Sequence, residues 1–158
     1  MTIEQEWQQI REVIRAHIAR HGRSIQAVGE DESDVPGTQP FSYTVGNHAL
    51  GLPELLVVGT TKLSSILNVL SDIQRDRGKA FGHEELVSIG GKFPLRIVDA
   101  GELGRRQYAS FACIYYNSDT VEVLQVLIPD AKGRWPDTPG CDPPYRDQPI
   151  LAATSSAS

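Results

Sequence analysis

Two cysteines, one methionine and fewer basic than acidic side chains set the first limits on this 158-residue chain. Cys113 and Cys141 are too few to hold a zinc ion by themselves or to build a disulfide framework. Cys113 lies in the apolar run "ASFACIYY" and reads as a buried, unreactive thiol. No apolar stretch approaches the roughly 18 residues of a membrane span. The opening "MTIEQEWQQI" has no apolar core of a signal peptide, so a cytoplasmic chain that meets no membrane is expected. With a formal charge of −5 and an isoelectric point near 5.3, the chain has no general surplus of cations for a phosphate backbone. Nucleic acid is therefore not an expected partner. A Gly-x-Ser-x-Gly elbow, an HExxH pair and a nucleotide-binding glycine loop are also missing.

What is present is an ordinary globular composition, 40% apolar and 22% charged, in a length that suits one domain. Residues 1–151 read as that domain, and the closing residues 152–158, "AATSSAS", read as a disordered tail.

Along the chain, Ile3, Trp7, Ile10, Ile14 and Ile18 recur at helical spacing, and Gly22 supplies a stop. "SIQAVG" reads as a short strand. The acidic run Glu30, Asp31, Glu32, Asp34 lies in a 30–40 loop without periodicity and without the turn glycine of a calcium loop. Phe41, Tyr43 and Val45 alternate with small polar residues, as on a half-buried strand. "ELLVVGT" is apolar on both faces and reads as a covered central strand. Thr60 or Thr61 is expected to cap a helix carrying Leu63, Ile66, Leu67, Leu70 and Ile73, closed by Gly78. "FPLRIVDA" reads as a strand. "YASFACIYY" and "VEVLQVLIP" read as a hairpin around "NSDT". Beyond Pro129 the chain is too rich in proline for regular structure. The expected fold is α+β, with a mostly antiparallel sheet or small open, split-barrel-like barrel of about six strands and two main helices.

Several polar residues stand where a pocket would need them. Asn47 and His48 join two strands, with Glu54 six residues on, and imidazole and carboxylate together are acid–base groups. His17, His21 and His83 have no metal-ligand spacing. Gln125 shares an apolar strand face with Val123 and Leu127, so its amide either bonds neighbouring backbone or reads a ligand. Asp130 to Gly133 reads as a turn; alternatively Asp130, Lys132, Arg134 and Trp135 build an anion or aromatic-ligand site, and the turn leaves Arg134 and Trp135 unexplained. The start of the second helix, Thr60, Thr61 and Lys62, offers donors to an anion.

These stretches occur together in one family. In "HGRSIQAVGEDE", "PFSYTVGNHALGLPELLVVG", "LQVLIPDAKGRWP" and "QPIL", from about His21 to Leu151, the chain resembles the bacterial proteins grouped as domain of unknown function 4262. The resemblance implies no established activity and carries over no catalytic residue. Arg23, Asp137 and Cys141 depart from the aromatic residues common at those positions in the family.

Two functional expectations follow. One is a non-catalytic module that binds a small molecule or a protein partner, with Tyr43, Thr44, Asn47, His48, Glu54, Gln125, Asp130, Arg134 and Trp135 as its rim at one end of the sheet. The other rests on a likeness to the flavin-binding part of split-barrel reductases. It implies FMN, its phosphate held by Thr44, Asn47, Thr60, Thr61 and Lys62, and by the same analogy a homodimer.

Overall fold

The computed structural model describes residues 2–29, 38–60 and 63–152. Most of the acidic 30–40 loop, Thr61, Lys62 and all but the first residue of the expected tail lie outside them.

Helix α1 (Ile3–His21) forms where the periodicity requires it. Thr2 caps it: its hydroxyl accepts from the Gln5 N–H at 3.1 Å, and the Gln5 side chain accepts from the Thr2 N–H at 2.8 Å. Such a cap stabilises a helix by about 1 kcal/mol. Gly22, left-handed at φ 85°, ends the helix and donates to the Ile18 carbonyl, as a glycine stop does. The strands follow as β1 (Ser24–Val28), β2 (Phe41–Val45) and β3 (Glu54–Val58), with a 3₁₀ turn at His48–Leu50 between the last two. Helix α2 (Ser64–Arg77) leads to β4 (Leu86–Val87) and β5 (Leu95–Asp99). A helical stretch comes next: α3 (Gly101–Leu103), a π turn (Gly104–Tyr108) and α4 (Ser110–Tyr116). Strand β6 (Val123–Leu127) completes the sheet.

The sheet order is β1-β2-β3-β6-β5-β4. All neighbours are antiparallel except β3 and β6, which run parallel in the centre with Glu54 opposite Val123. β1 and β4 are its two ends, so the α+β sheet is open and does not close into a barrel. Every residue of β3 and β6 is buried, because helices cover both faces. On one face Tyr43, Val45, Leu56, Val58 and Val123 pack with Ile14 of α1, Tyr108 and Ala112. On the other, Leu55, Val57, Ile97 and Val126 pack with Leu67 and Leu70 of α2.

Two expectations need correction. The expected hairpin arm Tyr108–Tyr116 is the end of the π turn and α4, and the sixth strand is the short β4 instead. An apolar run of nine residues fits either period. Read as a helix, Tyr108, Ala112 and Tyr116 fall on one stripe at four-residue spacing, and that stripe meets the core. The second correction concerns α2: Leu63 stands at its N-cap with no side-chain cap bond, so Thr60 lies outside the helix.

Candidate functional site

The residues of the expected rim fall into three separate groups. The first surrounds Glu54, which is fully buried at the start of β3. β2 ends at Val45, and the chain then turns so that three successive amides, Gly46, Asn47 and His48, point inward. All three donate to the Glu54 carboxylate, at 3.1, 3.2 and 3.0 Å. The Thr44 hydroxyl donates to Oε1 at 2.7 Å, and the Tyr116 phenol, reaching over from α4, donates to Oε2 at 3.1 Å. Successive inward N–H groups form a nest for an anion, and here the chain supplies the anion itself. Gly46 makes the turn possible: at φ 138° its missing Cβ would lie 2.9 Å from the Arg23 Cα and the Gly22 carbonyl oxygen.

Further amides and hydroxyls around the turn fix this arrangement. The Asn47 amide donates to Ser71 of α2 at 3.1 Å and to Thr44 at 3.3 Å. The Leu55 N–H donates to the Thr44 hydroxyl at 3.0 Å. Gln74, fully buried on α2, donates to the Pro53 carbonyl and accepts from the Phe81 N–H. Burial pushes the Glu54 carboxyl up, against the opposing pull of the His48 amide, the Thr44 hydroxyl and the Gly46 and Asn47 amides. Burial and the Glu54 charge likewise hold the Tyr116 phenol well above its ordinary range. The His48 ring is half-buried and lies 4.6 Å from the Tyr116 ring, centre to centre. Tyr43 belongs to the core side of the same end; its hydroxyl accepts from the Phe111 N–H at 3.1 Å.

The second group is Gln125 with the backbone it holds. Gln125, fully buried in β6, donates to the Pro149 carbonyl and accepts from the Leu151 N–H. Its amide therefore pins the closing "QPIL" segment and seats Leu151 in the core.

The third group lies past the opposite end of β6. Asp130 is buried, and its carboxylate accepts from the N–H groups of Lys132, Arg134 and Asp142 and from the Arg134 guanidinium at 2.8–3.0 Å. Burial pushes this carboxyl up, but those donors outweigh burial and hold it well below the ordinary carboxylate range. Gly133 closes the turn by donating to the Asp130 carbonyl. Trp135 lies under the Arg96 guanidinium, which is paired with Glu84 and Asp137.

The three departures from the family pattern have structural partners. Arg23 is buried and bonds Asn68 and Asp72 of α2, Asp137 pairs with Arg96, and Cys141 is buried close to Arg134.

A phosphate is poorly served by the residues expected to hold FMN. Thr44 and Asn47 are buried and spend their donors around Glu54 and Ser71, and a carboxylate already fills the amide nest. Thr60 is half-buried on the approach to α2, and Thr61 and Lys62 are outside the described residues.

Sequence reasoning missed a groove of about 400 Å³ between the π turn and α4, lined by Glu102, Arg105, Arg106, Ser110, Cys113, Ile114, Asp119 and Thr120. It also missed Tyr116. Both depend on Tyr108–Tyr116 being helical, and the four-residue stripe Tyr108, Ala112, Tyr116 is the signal that pointed there. The Cys113 thiol is half-buried beside the groove, and burial pushes its pKa up against the opposing charge of Arg105. Among the described residues no group of histidine, cysteine, aspartate and glutamate side chains has the geometry to hold a metal ion, and no helix is long and apolar enough to cross a membrane.

This architecture, an open six-stranded sheet between helices with a carboxylate locked at the head of its central strand, belongs to a family. The chain matches the family described as "Domain of unknown function (DUF4262)" over residues 17–142 and is a member of it. The closing "QPIL" segment lies beyond the matched residues. No curated protein and no solved structure matches the chain.

Proposed function

We propose that the protein is a non-catalytic cytoplasmic module that binds a small molecule or a protein partner, and that its binding surface is the groove between the π turn and α4. One contrast carries this reading. The buried polar groups that resembled active-site chemistry, Glu54, Asp130 and Gln125, have their polar atoms occupied by the chain's own donors and acceptors. Such groups rigidify a fold and have little left to offer a substrate. The groove is different. Among the described residues, Arg105 on its wall makes a single long side-chain bond, 3.5 Å to the Val121 carbonyl, and Ile114 is 38% exposed. A concave surface of a few hundred Å³ with a few unspent polar groups is the usual form of a ligand site.

The test is a melting-temperature screen of the purified protein against anionic, neutral and cationic small molecules, FMN among them. Ser110→Trp, which fills the groove, serves as the control. A saturable shift that Ser110→Trp abolishes supports the reading. A shift that survives it moves the site elsewhere. Stoichiometric FMN binding followed by reduction with a nicotinamide donor would replace the module with an oxidoreductase. Native mass spectrometry of the same samples reads whether two copies pair.

A further inference from the structure

We infer that the groove recognises a small amphipathic monocarboxylate, an inference that rests on the binding reading above and names its ligand class. Four charged residues line the groove: Glu102, Arg105, Arg106 and Asp119. Arg106 is already answered, because its guanidinium pairs with Glu102 at 2.9 Å. Arg105 is not. Among the described residues it has no carboxylate within 4.0 Å, and its one hydrogen bond is at the 3.5 Å limit. A half-buried guanidinium with most of its N–H fork unspent is suited to the two oxygens of a carboxylate, which it binds through parallel charge-assisted bonds.

The rest of the lining selects the charge and the tail. Ser110 contributes a hydroxyl that has no partner among the described residues. Beyond it, Ile114 and the Cys113 side chain form an apolar wall along α4. A head group held at Arg105 therefore leaves an aliphatic chain against Ile114. Glu102 is taken by Arg106, so Arg105 shares the rim with one carboxylate that has no ion pair among the described residues, Asp119. One negative charge is met there by Arg105, whereas the second charge of a phosphate faces Asp119 and is repelled.

Cys113 provides the readout. Its thiol lies in the groove, while Cys141 is 3% exposed and serves as the internal control. Octanoate is the probe, with octanol and octyl phosphate for comparison. The rate of Cys113 alkylation by neutral iodoacetamide is followed by peptide mapping, with melting temperature read in parallel in case the thiol reacts slowly. Octanoate is expected to slow Cys113 saturably, with an apparent affinity at least about tenfold above that of octanol or octyl phosphate, the factor expected for a charge-assisted bond pair. Arg105→Gln is expected to reduce octanoate to the level of octanol, and Arg20→Gln, exposed on α1 outside the groove, to leave it unchanged. Equal protection by octanol, or full octanoate protection in Arg105→Gln, would overturn the carboxylate assignment and leave the groove a ligand site. Tighter octyl phosphate would overturn the charge argument alone. If none of the three probes protects the thiol or shifts the melting temperature, this inference fails. The wider screen with its Ser110→Trp control then decides the groove separately.

Discussion

The phenol of Tyr116 donates to Oε2 of Glu54 at 3.1 Å, and the bond joins two residues 62 positions apart in the chain. It ties α4 on one face of the sheet to the turn that begins β3. Because no cation stands beside the carboxylate among the described residues, its charge is met there by dipoles. Each donor therefore matters more than an equivalent surface bond.

Tyr116→Phe removes one donor and little volume. Unfolding in urea should show a loss of roughly 1–3 kcal/mol, the range for a bond to a buried charged acceptor. A loss near zero would mean that the phenol does not reach the carboxylate. In the wild type, the phenolate absorption of Tyr43 and Tyr116 should emerge only with alkaline unfolding, since both phenols are held well above the ordinary range, chiefly by burial.

Glu54→Gln keeps the shape but replaces one carboxylate oxygen with an NH₂ group. That group then faces N–H donors of the Gly46–His48 turn or the Thr44 hydroxyl. Each buried donor left without an acceptor costs about 1–3 kcal/mol, so this substitution should destabilise more than Tyr116→Phe. Amide exchange at Gly46, Asn47 and His48 should accelerate together, and exchange at only one of them would count against a shared anion.

The two buried carboxylates should impose opposite pH slopes. Asp130 has a folded pKa below its ordinary 3.8, so its contribution is present above that value and is lost as pH falls through the folded value. The stability gap between wild type and Asp130→Asn should therefore shrink on acidification. Glu54 has a folded pKa above its ordinary 4.5. Its contribution is complete below that value and is lost as pH rises through the folded value. The gap between wild type and Glu54→Gln should narrow as pH increases. Parallel slopes for the two variants would contradict this account.

Gln125 and Gln148 hold the closing segment from both sides. Gln125 bonds Pro149 and Leu151, while the Gln148 amide accepts from the Ile128 N–H and donates to the Ile128 and Tyr145 carbonyls. Gln125→Leu leaves a carbonyl and an N–H unpaired and should loosen that segment. Carboxypeptidase trimming beyond Asp147 is expected to accelerate at least severalfold, with a stability loss of about 2–6 kcal/mol for the two unpaired groups.

Gly104 sits in the π turn with ordinary helical dihedrals, so the limit there is space alone. A Cβ would clash with the Ala100 Cβ. Gly104→Ala should cost about 1–3 kcal/mol by overpacking. Gly91→Ala, outside the left-handed region and with a Cβ in ordinary contact with the Phe93 carbonyl oxygen at 3.7 Å, serves as the comparison and should cost less in thermal unfolding.

The sequence by itself determined α1, the alternating β2, the doubly apolar β3, the existence of β6, the Asp130 turn and membership of the family. Each of these is written in local periodicity, in turn chemistry or in a run of matched residues. It also placed an amide on the apolar face of β6 and left open whether backbone or a ligand would satisfy it. Only the tertiary structure decided that question, because the partners, Pro149 and Leu151, arrive from 24 and 26 residues away. The same holds for Tyr108–Tyr116, whose apolar run fits a strand or a helix equally well until the face of the sheet it must cover is known. Polar residues gathered by expectation into one rim were separated for a related reason. A strand sets which face a side chain points to, but the parallel pairing of β3 with β6 puts Glu54 beside Val123 and sends Asp130 past the far end of the sheet. Non-local pairing is what neither periodicity nor motif spacing encodes.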